Sequence, residues 1–189
     1  MSPYEYKVFA DYVSRLAAGI PFAVYEVAAS VFCIGLVILV TWKGIKRGIQ
    51  YSLPLLLADY VFLMFSSTVF CRTTNEARKY DFHPFWSYRA IQDGQVHLLP
   101  QNIMNVVVFI PIGLLLGVIF RQMTWWKALL AGFCISVSIE TLQFVFYKGF
   151  CEIDDIMHNT LGCLIGYLVC QGARKIFSQM TCSRGSSRS

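Results

Sequence analysis

The sequence predicts an all-α membrane protein: a polytopic bundle of four to five transmembrane helices, five favoured, with an external loop lying at the interface. Three observations carry this reading. The chain is 56% hydrophobic. Only 14% of its residues are charged, against about a quarter in ordinary soluble domains. Long windows are almost free of charge, and each approaches the ~20 residues that a helix needs to cross the hydrocarbon core. A soluble domain of 189 residues would need a wetter surface than this composition supplies.

The opening "MSPYEYKVFADYVSRLAAG" alternates apolar residues with Glu5, Lys7, Asp11 and Arg15. It lacks the basic region and adjoining apolar stretch of a cleavable signal peptide, and its pattern suits a short interfacial helix. The first expected span, Ile20 to Trp42, holds the single charge Glu26. The second, Tyr51 to Phe70, holds only Asp59, and the third, Asn102 to Phe120, holds none. The fourth, Trp126 to Tyr147, has Lys127 at its lip and Glu140 inside. A fifth, residues 155–171, begins among polar groups, so its first turns should face protein rather than lipid. Residues 1–176 read as one membrane domain, and 177–189 as a disordered, polar cytoplasmic tail.

Lys43, Lys46 and Arg47 follow the first span, Arg121 and Lys127 bracket the turn between the third and fourth, and Arg174 and Lys175 follow the fifth. The positive-inside rule places these groups in the cytoplasm, with the N-terminus outside and the C-terminus inside. The long link Cys71 to Gln101 and the stretch 148–155 then share the external side. Against this, the link itself carries Arg72, Arg78, Lys79 and Arg89. Its Phe82, Phe85, Trp86 and Tyr88 fit a segment folded onto the membrane surface. The same orientation puts Cys71 and Cys151 on one side and leaves their pairing open.

Glu140 is the residue of greatest weight. A carboxylate inside a span is expensive and faces a bundle interior, a cavity or a partner. Ser136 and Gln143 share its helix face. Two readings stay open: an interhelical hydrogen-bond network, or a ligand or proton site. Asn105 lies early in the third span, and Asp155 and Asn159 share a face of the fifth, with His158 turned away. Of the paired aspartates, Asp154 is expected to cap its own helix and Asp155 to reach inward towards Lys148 or Arg72. Gly113 with Gly117, and Gly162 with Gly166, form small-xxx-small faces for close helix contact.

Other chemistries fit poorly. His83, His97 and His158 have no metal-ligand spacing, seven cysteines form no CxxC pair, and no Walker loop or GxSxG elbow occurs. No metal, cofactor or nucleic-acid partner is expected; the basic residues are dispersed. The expected partners are the lipid bilayer and an amphiphilic envelope ligand.

Three stretches carry a family likeness: "RTTNEARKYDFHPF", "QNIMNVVVFIPIGLLLG" and "SIETLQFVFYKGFCEIDDIMHNTLGCLIG". The chain resembles the VanZ-like family of small integral membrane proteins. Glu140, Gln143, Asp155, Asn159 and Gly162 match its glutamate–glutamine and aspartate–asparagine–glycine pattern. Asn105, Phe109, Pro111 and Gly113 match a second element, and Pro84 and Phe85 a third. Lys148 stands where arginine is usual, which keeps the charge and loses the bidentate fork. Glu152 replaces an aspartate, and Asp81 stands where asparagine is common. The resemblance implies low-level resistance to teicoplanin or related lipoglycopeptides, and no established reaction. The expected ligand site comprises Arg72, His83, Asn105, Glu140, Gln143, Lys148, Asp155 and Asn159, binding a lipidated glycopeptide or a cell-envelope lipid. The alternative is a membrane enzyme acting on a lipid or cell-wall precursor, with Glu140 and Asp155 as acid–base groups.

Overall fold

In the computed structural model, residues 7, 28, 31–36 and 45–186 are described. The expected span Ile20 to Trp42 and the N-terminal interfacial helix therefore lie almost wholly outside the described residues. Residues 31–36 are helical. Five α-helices then follow in chain order: α1 Ile45–Phe65, α2 Trp86–Gln92, α3 Leu98–Ile119, α4 Trp125–Val145 and α5 Ile153–Ser186. A π-helical segment, Ser66–Phe70, extends α1. The strands β1 (Tyr80–Asp81) and β2 (Cys151–Glu152) form one small parallel pair.

Three of these helical stretches are long and apolar enough to cross a membrane: Tyr51–Phe70, Leu98–Ile119 and Trp125–Val145. The expectation of four to five spans is thereby overturned. The fifth segment fails because its first turns carry Asp154, Asp155, His158 and Asn159, which the apolar residues after them do not outweigh. The helix also continues to Ser186, through most of the stretch read as a disordered tail.

α3 and α5 make the largest interhelical contact, and glycine is the reason. A Cβ on Gly113 would run into the Cys163 carbonyl, and one on Gly162 or Gly166 into the Val106 or Ile110 carbonyl. The two backbones meet directly, as the small-xxx-small spacing predicts. Gly132 gives α4 the same approach to Cys163. The contacts climb α3 and α5 together, from Val106 against Gly162 to Val118 against Arg174, so these helices run parallel. α4 runs against both, with Ser136 beside Asn159 and Met123 beside Tyr167. Tyr60 donates to the Val108 carbonyl and fixes α1 against α3. Met64, Phe109, Ile112, Ile139 and Cys163 fill the space between them. Val107, Leu130, Phe133 and Leu161 point outward and remain exposed, as lipid-facing side chains would.

The end of the bundle where α1 finishes and α5 begins is closed by the link between α1 and α3. Asn75 donates through its backbone to Tyr147 and through its side chain to Gly149. Thr74 bridges Lys148, and Tyr80–Asp81 pairs with Cys151–Glu152. Arg78 lies over the rings of Phe144 and Tyr147 at 5.0 and 4.6 Å, a favourable placing for a cation. The link and the 148–155 stretch therefore meet at one end of the molecule, as the sequence implied. Cys71 and Cys151 are both free thiols.

Candidate functional site

The π-helical end of α1 prepares the site. Ser67 and Thr68 turn their hydroxyls back onto the Met64 carbonyl at 2.9 and 2.7 Å, and the Cys71 N–H reaches back to Ser66. Such back-bonding competes with the regular helical ladder, and π segments recur where backbone groups are redirected. The Thr68 carbonyl accepts the Gln143 Nε2 amide of α4 at 3.2 Å. That bond fixes the amide, because a carbonyl can only accept.

Beneath this point the helices enclose a cavity of about 40 Å3. Arg72, Asn105, Glu140, Gln143, Asp155 and Asn159 line it with Thr68, Met64 and the apolar Val108, Phe109 and Ile139. Six of the eight residues expected at the ligand site thus border one space. Two do not. His83 is a surface residue held in a local turn, its backbone N–H and ring Nδ1 both on Asp81 Oδ1 at 2.8 and 2.9 Å. The first of these bonds is the main cause of a lowered Asp81 pKa. Lys148 points back to the α1 end and donates to the Phe70 and Arg72 carbonyls at 3.3 and 2.6 Å. Of the two cations expected near Asp155, only Arg72 borders the cavity with it.

The predicted polar stripe on α4 is fully inward. Ser136, Glu140 and Gln143 are all buried. Glu140 Oε2 accepts the backbone N–H of Glu152 at 3.0 Å, and Asn159 Nδ2 donates to Ser136 at 2.8 Å. Yet Gln143 Oε1, Asn159 Oδ1, Asp155 Oδ1 and Asn105 Nδ2 find no hydrogen-bond partner among the described residues. Buried polar atoms are nearly always paired; four that are not gather around this cavity, while Asn102 Oδ1 and His158 Nδ1 are unmatched outside it.

A second network, beside the first, was not legible in sequence. Asp154 does not cap its own helix. Its carboxylate accepts the backbone N–H groups of Phe85 and Ser87 at 2.6 and 3.0 Å and the Ser87 hydroxyl at 2.6 Å. It thereby caps α2, which starts from Phe85 in the left-handed region at φ 63°. Asn102 joins through Ser87 at 3.1 Å. Glu152, 2% exposed, accepts Trp86 Nε1 at 3.1 Å and Gln101 Nε2 at 3.3 Å. His158 faces away from the cavity, as its helix position predicts, and pairs through Nε2 with the Tyr88 hydroxyl at 2.7 Å. The partners of all these groups sit on the link, far off in sequence; the only local signal was the density of polar residues at 152–159.

Charge and burial oppose each other here. Burial, reinforced by Asp155, pushes the Glu152 carboxyl up to about 8. Burial also lifts Asp155, to about 7, although Arg72 pulls it down; Asp154 adds to the rise. No ion pair joins Arg72 to a carboxylate; among the described residues the one close pair is His83 with Asp81. The guanidinium lies over Gly149, where a Cβ would collide with its Nη1. Gly149 is also held at φ 68°, which glycine adopts freely. Among the described residues no group of histidine, cysteine and acidic side chains has a geometry for a metal.

A family profile described as VanZ/LLP1 matches residues 51–177, which takes in every residue of the cavity. Protein VanZ of Enterococcus faecium is 36% identical over 66 residues, which cover 35% of this chain and 41% of that protein. The matched stretch thus spans less than half the length of that relative. No solved structure matches the chain. With two thirds of its length matched, and with the glutamate–glutamine and aspartate–asparagine–glycine residues gathered at one cavity, the chain belongs to the VanZ/LLP1 family.

Proposed function

We propose that this multi-pass membrane protein lowers the hold of teicoplanin or a related lipoglycopeptide on the cell surface, by binding a lipidated or cell-envelope molecule at the cavity formed by Arg72, Asn105, Glu140, Gln143, Asp155 and Asn159. The observation that carries this is the set of four unpartnered buried polar atoms around one small space. Buried polar atoms are nearly always paired, and the gathering of these four at one space supports a ligand there. The cavity lies at one end of three apolar helices, where a polar head group can enter while its chains stay in lipid.

Charge bears on the side on which it opens. Lys46 and Arg47 at the start of α1, Arg121 and Lys127 at the α3–α4 turn, and Arg174 and Lys175 on α5 share the end opposite the cavity. Basic residues near span ends favour the cytoplasm, which supports a cavity that faces outward, although Arg72, Arg78, Lys79 and Arg89 of the link stand at the cavity end.

A second reading has one observation in its favour: Glu140 and Asp155 border the same cavity, as an acid–base pair would. Here the protein modifies a lipid or cell-wall precursor. Labelled-teicoplanin binding to intact cells separates the two, using wild-type protein, an equally abundant Glu140→Gln variant and an empty control. Binding reduced by the wild type alone supports the proposal. Equal binding in all three removes drug exclusion and directs attention to altered envelope precursors.

A further inference from the structure

The cavity is richer in acceptors than in donors, and this specifies the chemistry of its ligand. Gln143 is 5% exposed, and its Nε2 is committed to the Thr68 carbonyl, so Oε1 must be the end left over. Asn159, also 5% exposed, commits Nδ2 to Ser136 and leaves Oδ1. Asp155 Oδ1 is a third acceptor without a well-aligned partner, and the Asn105 amide, whose Nδ2 is also unmatched, lies beside it. Glu140 adds a buried carboxylate to the same wall. Three acceptors lining one small cavity match the three N–H bonds of a primary ammonium, whose fourth bond leads out to the rest of the molecule.

Size narrows the choice. About 40 Å3 holds a group on the scale of one or two waters. It does not admit a trimethylammonium, a sugar or a phosphate. The neighbouring anion of a zwitterion would stay at the rim, and Arg72 is there. Its guanidinium makes no ion pair with the carboxylates that share the cavity, and it presents a planar fork suited to phosphate or carboxylate oxygens. A cation at the rim with no close ion pair, and acceptors inside, form a bipolar site.

We propose that the ligand is a zwitterionic amphiphile whose primary ammonium enters the cavity against Gln143, Asp155 and Asn159 while its adjacent anionic oxygens rest on Arg72. This rests on the ligand-binding function proposed above and names the chemical class. The head group could belong to a bilayer lipid or to a free zwitterion, and the two are separable by experiment.

The test is native mass spectrometry of the purified full chain in detergent. It is offered lipids with identical acyl chains and phosphoethanolamine, phosphocholine or phosphoglycerol heads. The phosphoethanolamine lipid is expected to bind about tenfold more tightly than either other lipid, which is the size of one well-made polar contact. Arg72→Gln should cut that binding about tenfold without moving the melting temperature, since the side chain is exposed and unpaired. Gln143→Leu should erase the preference over phosphocholine. Displacement of the lipid by soluble phosphoethanolamine, and not by phosphocholine, supports the proposal and shows that the head alone is gripped. Equal binding of all three lipids, or binding indifferent to Arg72→Gln in folded protein, overturns it. Equal lipid binding together with reduced teicoplanin labelling of cells sinks this assignment and spares the proposed function. A strong phosphoethanolamine preference with unchanged labelling does the reverse.

Discussion

Asp154 and Asp155 are neighbours in the chain and should respond in opposite ways to loss of charge. Asp154 is 1% exposed and accepts three hydrogen bonds from the start of α2. Bonds to a carboxylate contribute about 1.5–3 kcal/mol each when measured singly. They are not additive, and Asp154→Ala also strands two backbone N–H groups, so a total of about 3–5 kcal/mol is expected. At about 2–4 °C per kcal/mol for a chain of this size, the melting temperature in detergent should fall by roughly 10 °C. Asp154→Asn should lose about half as much, because one amide oxygen still accepts while the amide nitrogen meets a donor. Asp155→Asn removes a carboxylate that burial disfavours and keeps an oxygen that can accept from the Asn105 amide; it should leave the melting temperature within about 3 °C or raise it. Limited proteolysis of the 71–97 link supplies a second readout, with faster cutting only in the Asp154 variants. If Asp155→Asn destabilises as much as Asp154→Ala, the division between a structural network and a ligand cavity is wrong.

The glycine contacts and the carboxylate shifts give further expectations. Gly162→Leu should cost about 3 kcal/mol or more, since its Cβ has no room beside the Val106 carbonyl, whereas Gly172→Ala, with nothing within 4 Å, should be neutral or slightly stabilising; thermal unfolding compares them. Glu152 is raised from 4.5 to about 8 and Asp155 from 3.8 to about 7. Between those limits the folded protein holds more protons than the unfolded chain, so stability is full in acid and falls as pH rises through 7 to 8. A melting temperature that climbs over the same range would contradict both shifts. By the same linkage, a cationic head group favours the ionised carboxylates, so phosphoethanolamine binding should tighten as stability falls.

The parts of the structure written in apolar runs and short periodicities were legible in sequence. Three uncharged or nearly uncharged windows became spans, and two glycine pairs became the α3–α5 contact, because each signal lies within a few residues of itself. The inward face of Glu140 was legible for the same reason, since Ser136 and Gln143 repeat at helical spacing. The fifth span failed because length and a greasy second half do not offset four polar residues in its opening turns. Asp154 was assigned to its own helix because a cap is normally local; its true donors, Phe85 and Ser87, lie on the link, 69 and 67 residues away. His83 was drawn into the site by its neighbourhood in sequence and is instead tied to Asp81 two residues before it. Lys148 lies at the cavity end of the bundle, but its ammonium is occupied by two carbonyls, leaving Arg72 as the cation at the cavity.

The central claim is that function resides in the cavity rather than in the membrane bundle as a whole. The most direct test is teicoplanin susceptibility of cells carrying equal amounts of wild-type protein, Glu140→Gln and Ser138→Ala. Glu140→Gln preserves an acceptor for the Glu152 N–H and so the fold, while Ser138 is exposed on the same helix and bonds only to the Cys134 carbonyl. The account requires resistance to drop to the empty-vector level in Glu140→Gln and to stay at the wild-type level in Ser138→Ala. Full resistance in Glu140→Gln, with the protein present and folded, would remove the cavity from the mechanism.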